Sequence, residues 1–273
     1  MSGPLQHPPI STDITVATLK IGVPTRALRL PLRRAIEVAA QTAADGVEID
    51  LRTEFPLADL SQTAIREIRK LSDDLRLKIG VVHYPTRRGL DDPDQLERRL
   101  EAIRRAMEGA YHLGARVVTQ RLGSLPLEDE PRRDTLRESL MWLSAAGVRS
   151  GAQLALEWGG DPQQLASLIA EVGEGLGVSL NPALLAAQGH LVDDALEILA
   201  PHLLHVRAID AVRDLRQGGT LDVELGRGSI DFPQLMAQLE GIDYRGWITA
   251  GRSDAPHPLE ELSNAVAYLR NTN

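Results

Sequence analysis

Cysteine is absent from the 273 residues, which excludes a disulfide framework and any thiolate metal site. Aromatic residues amount to only 3%, so Leu, Ala, Val and Ile must do most of the packing. No run of about 20 continuous apolar residues, the length of a membrane span, occurs. Positive charge is in deficit: the formal net charge is −8, which argues against a general binder of nucleic acid or of a membrane surface. Also missing are a Gly-x-Gly-x-x-Gly after the first apolar run, a Walker-type loop and a Gly-x-Ser-x-Gly, so the usual signatures of dinucleotide, nucleotide and serine-hydrolase sites are lacking. Met1 to Asp13 is rich in Pro and small polar residues and has no apolar core of the secretory kind. A flexible tail over residues 1–15 and a cytoplasmic location are the expectations.

What is present is an alternation that runs from end to end. Hydrophobic content of 43% suffices for a sizeable core. Short runs rich in Val, Ile and Leu predict strands at Leu19–Val23, Val47–Leu51, Lys78–Val82 and Arg116–Thr119, and again at Gln153–Glu157, Gly177–Leu180, Leu203–Ile209 and Gly246–Ala250. Between them, apolar residues at helical spacing predict helices over Pro31–Ala44, Asp94–Leu113, Arg133–Ser150, Pro162–Val172, Asp194–Leu199, Phe232–Leu239 and Pro258–Leu269. Gly46, Gly114, Gly177 and Gly246 each stand at or before a strand start, where a turn with positive φ is expected. Eight strands with intervening helices over residues 16–273 fit a single (β/α)8 TIM barrel, with an open doubly wound sheet as the alternative.

Several segments carry a resemblance. Asp45-Gly-Val-Glu-Ile-Asp50, Val81-Val-His83-Tyr-Pro85 and Leu154-Ala-Leu-Glu157 resemble the second, third and fifth strands of the xylose isomerase-like barrel family, which includes sugar-phosphate isomerases and epimerases and endonuclease IV-type enzymes. Gly226-Arg-Gly-Ser-Ile-Asp231-Phe232 resembles its Gly-x-Gly-x-x-Asp-Phe loop, and Tyr244-Arg-Gly-Trp247-Ile-Thr the run into its eighth strand. The resemblance covers roughly residues 16–270 and implies a barrel acting on a sugar or sugar phosphate through a divalent metal held by Glu, Asp, His and Glu.

The departures fall on that ligand set. Glu157 keeps the first position, but Asn181, Arg207 and Gly251 stand where the resemblance calls for Asp, His and Glu, and Gln120 stands where multi-metal members carry His. Asn181 offers a neutral oxygen, Gly251 no side chain, and Arg207 a fixed cation that cannot be a ligand. No cofactor is therefore expected, and a divalent metal only if another ligand set, with His190 or Glu224 as candidates, forms around Glu157. Arg207 is expected to reach Glu157 and fill the space of the metal, since a guanidinium fork suits a carboxylate.

Candidate catalytic residues are Glu157 as acid or base, Arg207 to stabilise developing negative charge, and His83, for which a structural role is equally open. Candidate substrate-binding residues are Arg52, Gln120, Arg121, Asn181, Asp210, Arg227 and Arg252. With Arg87 and Arg88, these arginines predict an anion site at the strand C-termini. Asp210 has the alternative of capping a loop. Glu48 is expected in a buried polar network closing the barrel floor, and His205 in the core beneath Arg207. The expected ligand is a small sugar, sugar acid or phosphosugar, with no nucleic acid or membrane partner and a homo-oligomer possible by family habit. Two readings stay open: an isomerase/epimerase-like protein with metal-free chemistry, and a non-catalytic ligand- or partner-binding descendant. A metal-dependent endonuclease is disfavoured by the missing His and Asp positions.

Overall fold

The computed structural model describes residues 19–126, 128–214 and 219–272. Ten strands occur among them: β1 Lys20–Pro24, β2 Gly46–Asp50, β3 Lys78–His83, β4 Val117–Arg121, β5 Gln153–Glu157, β6 Leu176–Leu180, β7 Leu203–Ala208, β8 Asp210–Arg213, β9 Thr220–Val223 and β10 Trp247–Ala250. The helices are α1 Leu32–Ala39, α2 Gln62–Asp74, α3 Leu96–Leu113, α4 Glu130–Ser150, α5 Pro162–Val172, α6 Pro182–Ala187, α7 Val192–Leu199, α8 Phe232–Gly241 and α9 Pro258–Asn271. Eight strands close into a barrel in the order β1-β10-β7-β6-β5-β4-β3-β2. Every barrel pairing is parallel, with helices covering the outside. This is the (β/α)8 architecture, not the open sheet. The tail expected over residues 1–15 lies outside the described residues.

All eight expected strands are present to within one or two residues. Two helices and a hairpin are additions. α2 carries its apolar residues on one narrow stripe, with Ile65 and Ile68 buried and Ala64 and Leu71 packed against the core, and Ser61 accepts from the Ala64 N–H as its cap. The β8–β9 hairpin is antiparallel and outside the barrel. Proline shapes the helix starts: Pro162 and Pro182 directly follow Asp161 and Asn181, and Pro131 stands two residues after Asp129, each of these caps accepting a backbone N–H of the first turn through its side chain.

The glycines divide by physical cause. Gly114 ends α3 in the left-handed region, with φ of 99°. Gly46, by contrast, is demanded by space, and so is Gly80. A Cβ on either would run into the Trp247 indole, which lies across the N-terminal end of the barrel. The positive φ expected at Gly46, Gly177 and Gly246 is not found; a strand start in a narrow barrel needs small volume more than unusual dihedrals.

Above that indole floor the barrel interior turns polar. His205, fully buried, bonds Ser179 through Nδ1 and Thr249 through Nε2, each at 2.8 Å. Burial first, and then the charge of Arg207, push its pKa well below the ordinary 6.5. A neutral imidazole thus ties β6, β7 and β10 together under the next layer.

Candidate functional site

Inward-facing positions alternate along each strand, which puts His205 and Arg207 one above the other on β7. The Arg207 side chain spans the barrel near the strand C-termini. Its Nε donates to Glu157 Oε2 at 2.8 Å, and Nη1 and Nη2 donate to the two oxygens of Glu48 at 3.0 and 2.9 Å. Nη2 also reaches Thr119 Oγ1 at 3.3 Å. The expected contact of Arg207 with Glu157 is therefore present. The larger share of the guanidinium belongs to Glu48, which sequence reasoning assigned to the floor. Glu48 lies one inward position beyond Gly46 on β2 and does belong to a buried polar network, as expected, but that network is the Arg207 clamp and not the indole floor.

All three groups are buried. Burial pulls the guanidinium's pKa down, but the charges of Glu48 and Glu157 and their hydrogen bonds outweigh it, and the net shift is upward. Glu157 is further engaged by Arg121, whose Nε donates to Oε1 at 3.3 Å while its side chain stays 69% exposed. Both oxygens of Glu157 thus accept from guanidinium groups. His83 Nδ1 lies 2.9 Å from Thr119 Oγ1. Its pKa falls well below the ordinary value, because it is buried and because Arg207 and other cations surround it. His83 is a neutral ring beside the clamp.

The other expected site residues do not converge. Arg252 is taken by Glu261, through Nε at 2.6 Å and Nη2 at 3.1 Å, and by the Asp222 carbonyl. Arg227 pairs with Glu224 in an exposed loop. Arg52 lies past the end of β2 and donates to the Pro85 carbonyl. Gln120 sits on the outward-facing phase of β4 and donates to Thr86 Oγ1. Asp210 accepts the backbone N–H groups of Ala211, Gly226, Gly228 and Ile230, and so shapes the loop after the hairpin. The expected ring of arginines is divided: Arg227 and Arg252 are held by carboxylates at the mouth, whereas Arg52, Arg87 and Arg88 line a separate hollow beside it.

Sequence reasoning missed Glu54. Its Oε2 accepts from the Asp50 N–H and from Thr25 Oγ1, while Oε1 is buried without a partner. Burial pushes its pKa from 4.5 to about 7. Nothing in the local pattern marks it, because its environment is assembled by the loops after β1 and β2.

The residues at which the resemblance expects further metal ligands make contacts of their own. Asn181 caps α6, its Oδ1 accepting from the Leu184 N–H at 3.3 Å. Gly251 has φ of 119°, and a Cβ there would meet Leu262. A glutamate would be strained at that point. Glu224 is occupied by Arg227 and Asn264. Among the described residues no group of three or more His, Asp or Glu side chains is placed to hold a metal ion.

A closed parallel barrel with intervening helices defines a TIM-barrel protein. Residues 36–272 match the family described as xylose isomerase-like TIM barrel, and the chain belongs to that family. Among solved structures it is similar to a xylose isomerase domain protein from Planctomyces limnophilus, at 20% identity over 93% of this chain and 97% of that one, with a TM-score of 0.82. It is also similar to the apo form of 3-keto-D-glucoside 4-epimerase from E. coli, at 19% identity over 93% and 100%, TM-score 0.75. A xylose isomerase-like barrel protein from Mycobacterium smegmatis in complex with magnesium has 18% identity over 94% and 97%, TM-score 0.76. These likenesses carry the fold. No curated protein sequence matches the chain. No helix of the described residues is long and apolar enough to cross a membrane.

Proposed function

We propose that this chain is a sugar isomerase/epimerase-like protein that has exchanged the family's metal centre for an internal guanidinium clamp and acts as a non-catalytic binder of a small polyhydroxylated or anionic ligand. The observation that carries the reading is the three-point hold of Arg207 on Glu48 and Glu157. A carboxylate serving as a general base must present a lone pair to its substrate. Each Glu157 oxygen accepts from a guanidinium, Arg207 or Arg121, so a substrate proton would compete with a cation at either one. A divalent ion would have to displace a cation already paired with two buried carboxylates, and Asn181 and Gly251 supply no replacement charge.

Ligand binding is assigned to the rim above the clamp, where the exposed Arg121 side chain adjoins Glu157. The sugar class is taken from the family and from the epimerase among its structural neighbours. The homo-oligomer expected from family habit and the cytoplasmic location belong to the same proposal.

The test is elemental analysis of protein purified without chelators and then offered Mn2+ and Zn2+, paired with calorimetric titration of ketohexoses and sugar acids. The expected result is metal far below one equivalent, with a sugar or sugar acid bound and recovered unchanged. One equivalent of metal that disappears on Glu157→Ala, or turnover of a ketohexose, would overturn the proposal.

A further inference from the structure

A second polar hollow lies beside the barrel mouth, outside the clamp. It measures about 380 Å3 and is walled by the turn after β2, the β3–α3 loop and the first turn of α3, a size suited to a small metabolite. Arg52, Arg87, Arg88, Arg98 and Arg99 line it, against a single lining carboxylate, Asp94. In a chain with a net charge of −8, this concentration of positive charge runs against the background.

The five guanidiniums are not equivalent. Arg88 is neutralised by Asp92 and Asp94. Arg52 and Arg99 donate to main-chain carbonyls of the same loop, Pro85 for the first and Asp92 and Asp94 for the second. Those bonds use some of the five N–H groups of each fork and fix its position without an ion pair, although Asp92 lies close enough to Arg99 to feel its charge. Arg99 Nε is buried and has no partner. Arg87 and Arg98 make no hydrogen bond or ion pair among the described residues. α3 also begins here: Gln95, its N-cap, has φ of 51° and gives no side-chain cap. The Leu96 N–H is taken by the Pro93 carbonyl and Glu97 lies in the first turn, so this 18-residue helix adds only its remaining first-turn N–H groups to the field.

We propose that this cleft binds the phosphate of a small soluble phosphomonoester, with Arg87 and Arg98 as the ionic contacts and Arg52 and Arg99 as the fixed donors. Fixed guanidinium forks match phosphate oxygens geometrically, and unpaired cations gain most from a dianion. The inference does not rest on how the clamp works, since no residue of the clamp lines the cleft.

The experiment is calorimetric titration of the full chain with inorganic phosphate, glycerol 3-phosphate and glycerol, at constant ionic strength held by KCl so that general screening is common to all arms. Phosphate and glycerol 3-phosphate should bind and glycerol should not. The Arg87→Gln/Arg98→Gln variant, altered only at exposed side chains, should keep its melting temperature and lose at least about tenfold in affinity, as expected for loss of charge-assisted contacts. Equal affinity in the variant, equal binding of glycerol, or no binding of either phosphate by the native chain would each overturn the assignment. Metal content and sugar binding at the mouth are separate readouts, so failure here leaves that reading standing and the converse also holds.

Discussion

Arg207 and Glu48 lie 159 positions apart and form a two-bond guanidinium–carboxylate pair inside the barrel, at 3.0 and 2.9 Å. Glu157 completes the clamp from the other side. Removing one member of such a buried set leaves an uncompensated charge, whereas replacing the whole set by apolar groups leaves none.

Arg207→Met is therefore expected to lower stability by ~3–5 kcal/mol in urea denaturation, the range for breaking a buried ion pair. Glu48→Gln/Glu157→Gln/Arg207→Met should recover most of that loss. A triple variant no more stable than Arg207→Met would show that the clamp matters for its shape and not for its charge balance.

The floor makes a different prediction. A Cβ at Gly80 has no room beside Trp247, so Gly80→Ala should cost about 1–3 kcal/mol, the usual penalty for overpacking. Combining it with Trp247→Leu should give a smaller loss than the sum of the two single changes. Strict additivity in thermal unfolding would place the clash elsewhere.

The buried imidazole of His205 sets one pH dependence. Its folded pKa is depressed below 6.5, by burial and then by Arg207. The unfolded chain thus takes a proton that the folded chain refuses. Its contribution to stability is complete above about pH 6.5 and is lost as the pH falls through that value towards the folded one. His205→Asn, measured from pH 8 to 5, should show a shallower acid loss than the native protein. Parallel curves would mean that His205 accepts its proton without cost.

Glu54 has the opposite sign. Its folded pKa is raised, from 4.5 to about 7, so the folded state holds the proton more tightly. Stability from this group is present below pH 4.5 and is lost as the pH rises to about 7, by at most ~3 kcal/mol for a shift of this size. Glu54→Gln should match the native protein near pH 5 and exceed it at pH 8. A constant difference between the two across that range would rule out the titration.

Local pattern carried most of the architecture. β5 could be read to the residue because Gln153–Glu157 is a short apolar run with turn signals on both sides. α2 is the harder helix to read, because its stripe of Ile65, Ile68 and Leu71 is narrow beside nine polar residues in 13. The β8–β9 hairpin was absorbed into the loop after β7, where nothing local distinguishes a strand pair outside the barrel from an ordinary connection.

For the site, sequence alone determined which chemistries are available: a carboxylate at residue 157, an amide at residue 181, a guanidinium at residue 207 and no side chain at residue 251. Residue identity is enough for that, since a side chain's donors, acceptors and charge travel with it wherever the chain folds. Tertiary structure alone decided who meets whom. Glu48 faces Arg207 because β2 and β7 stand across a closed barrel, and Arg252 goes to Glu261 because α9 passes beside it. Those pairings depend on strand register and helix placement, which are settled by the packing of the whole chain and not by any segment of it.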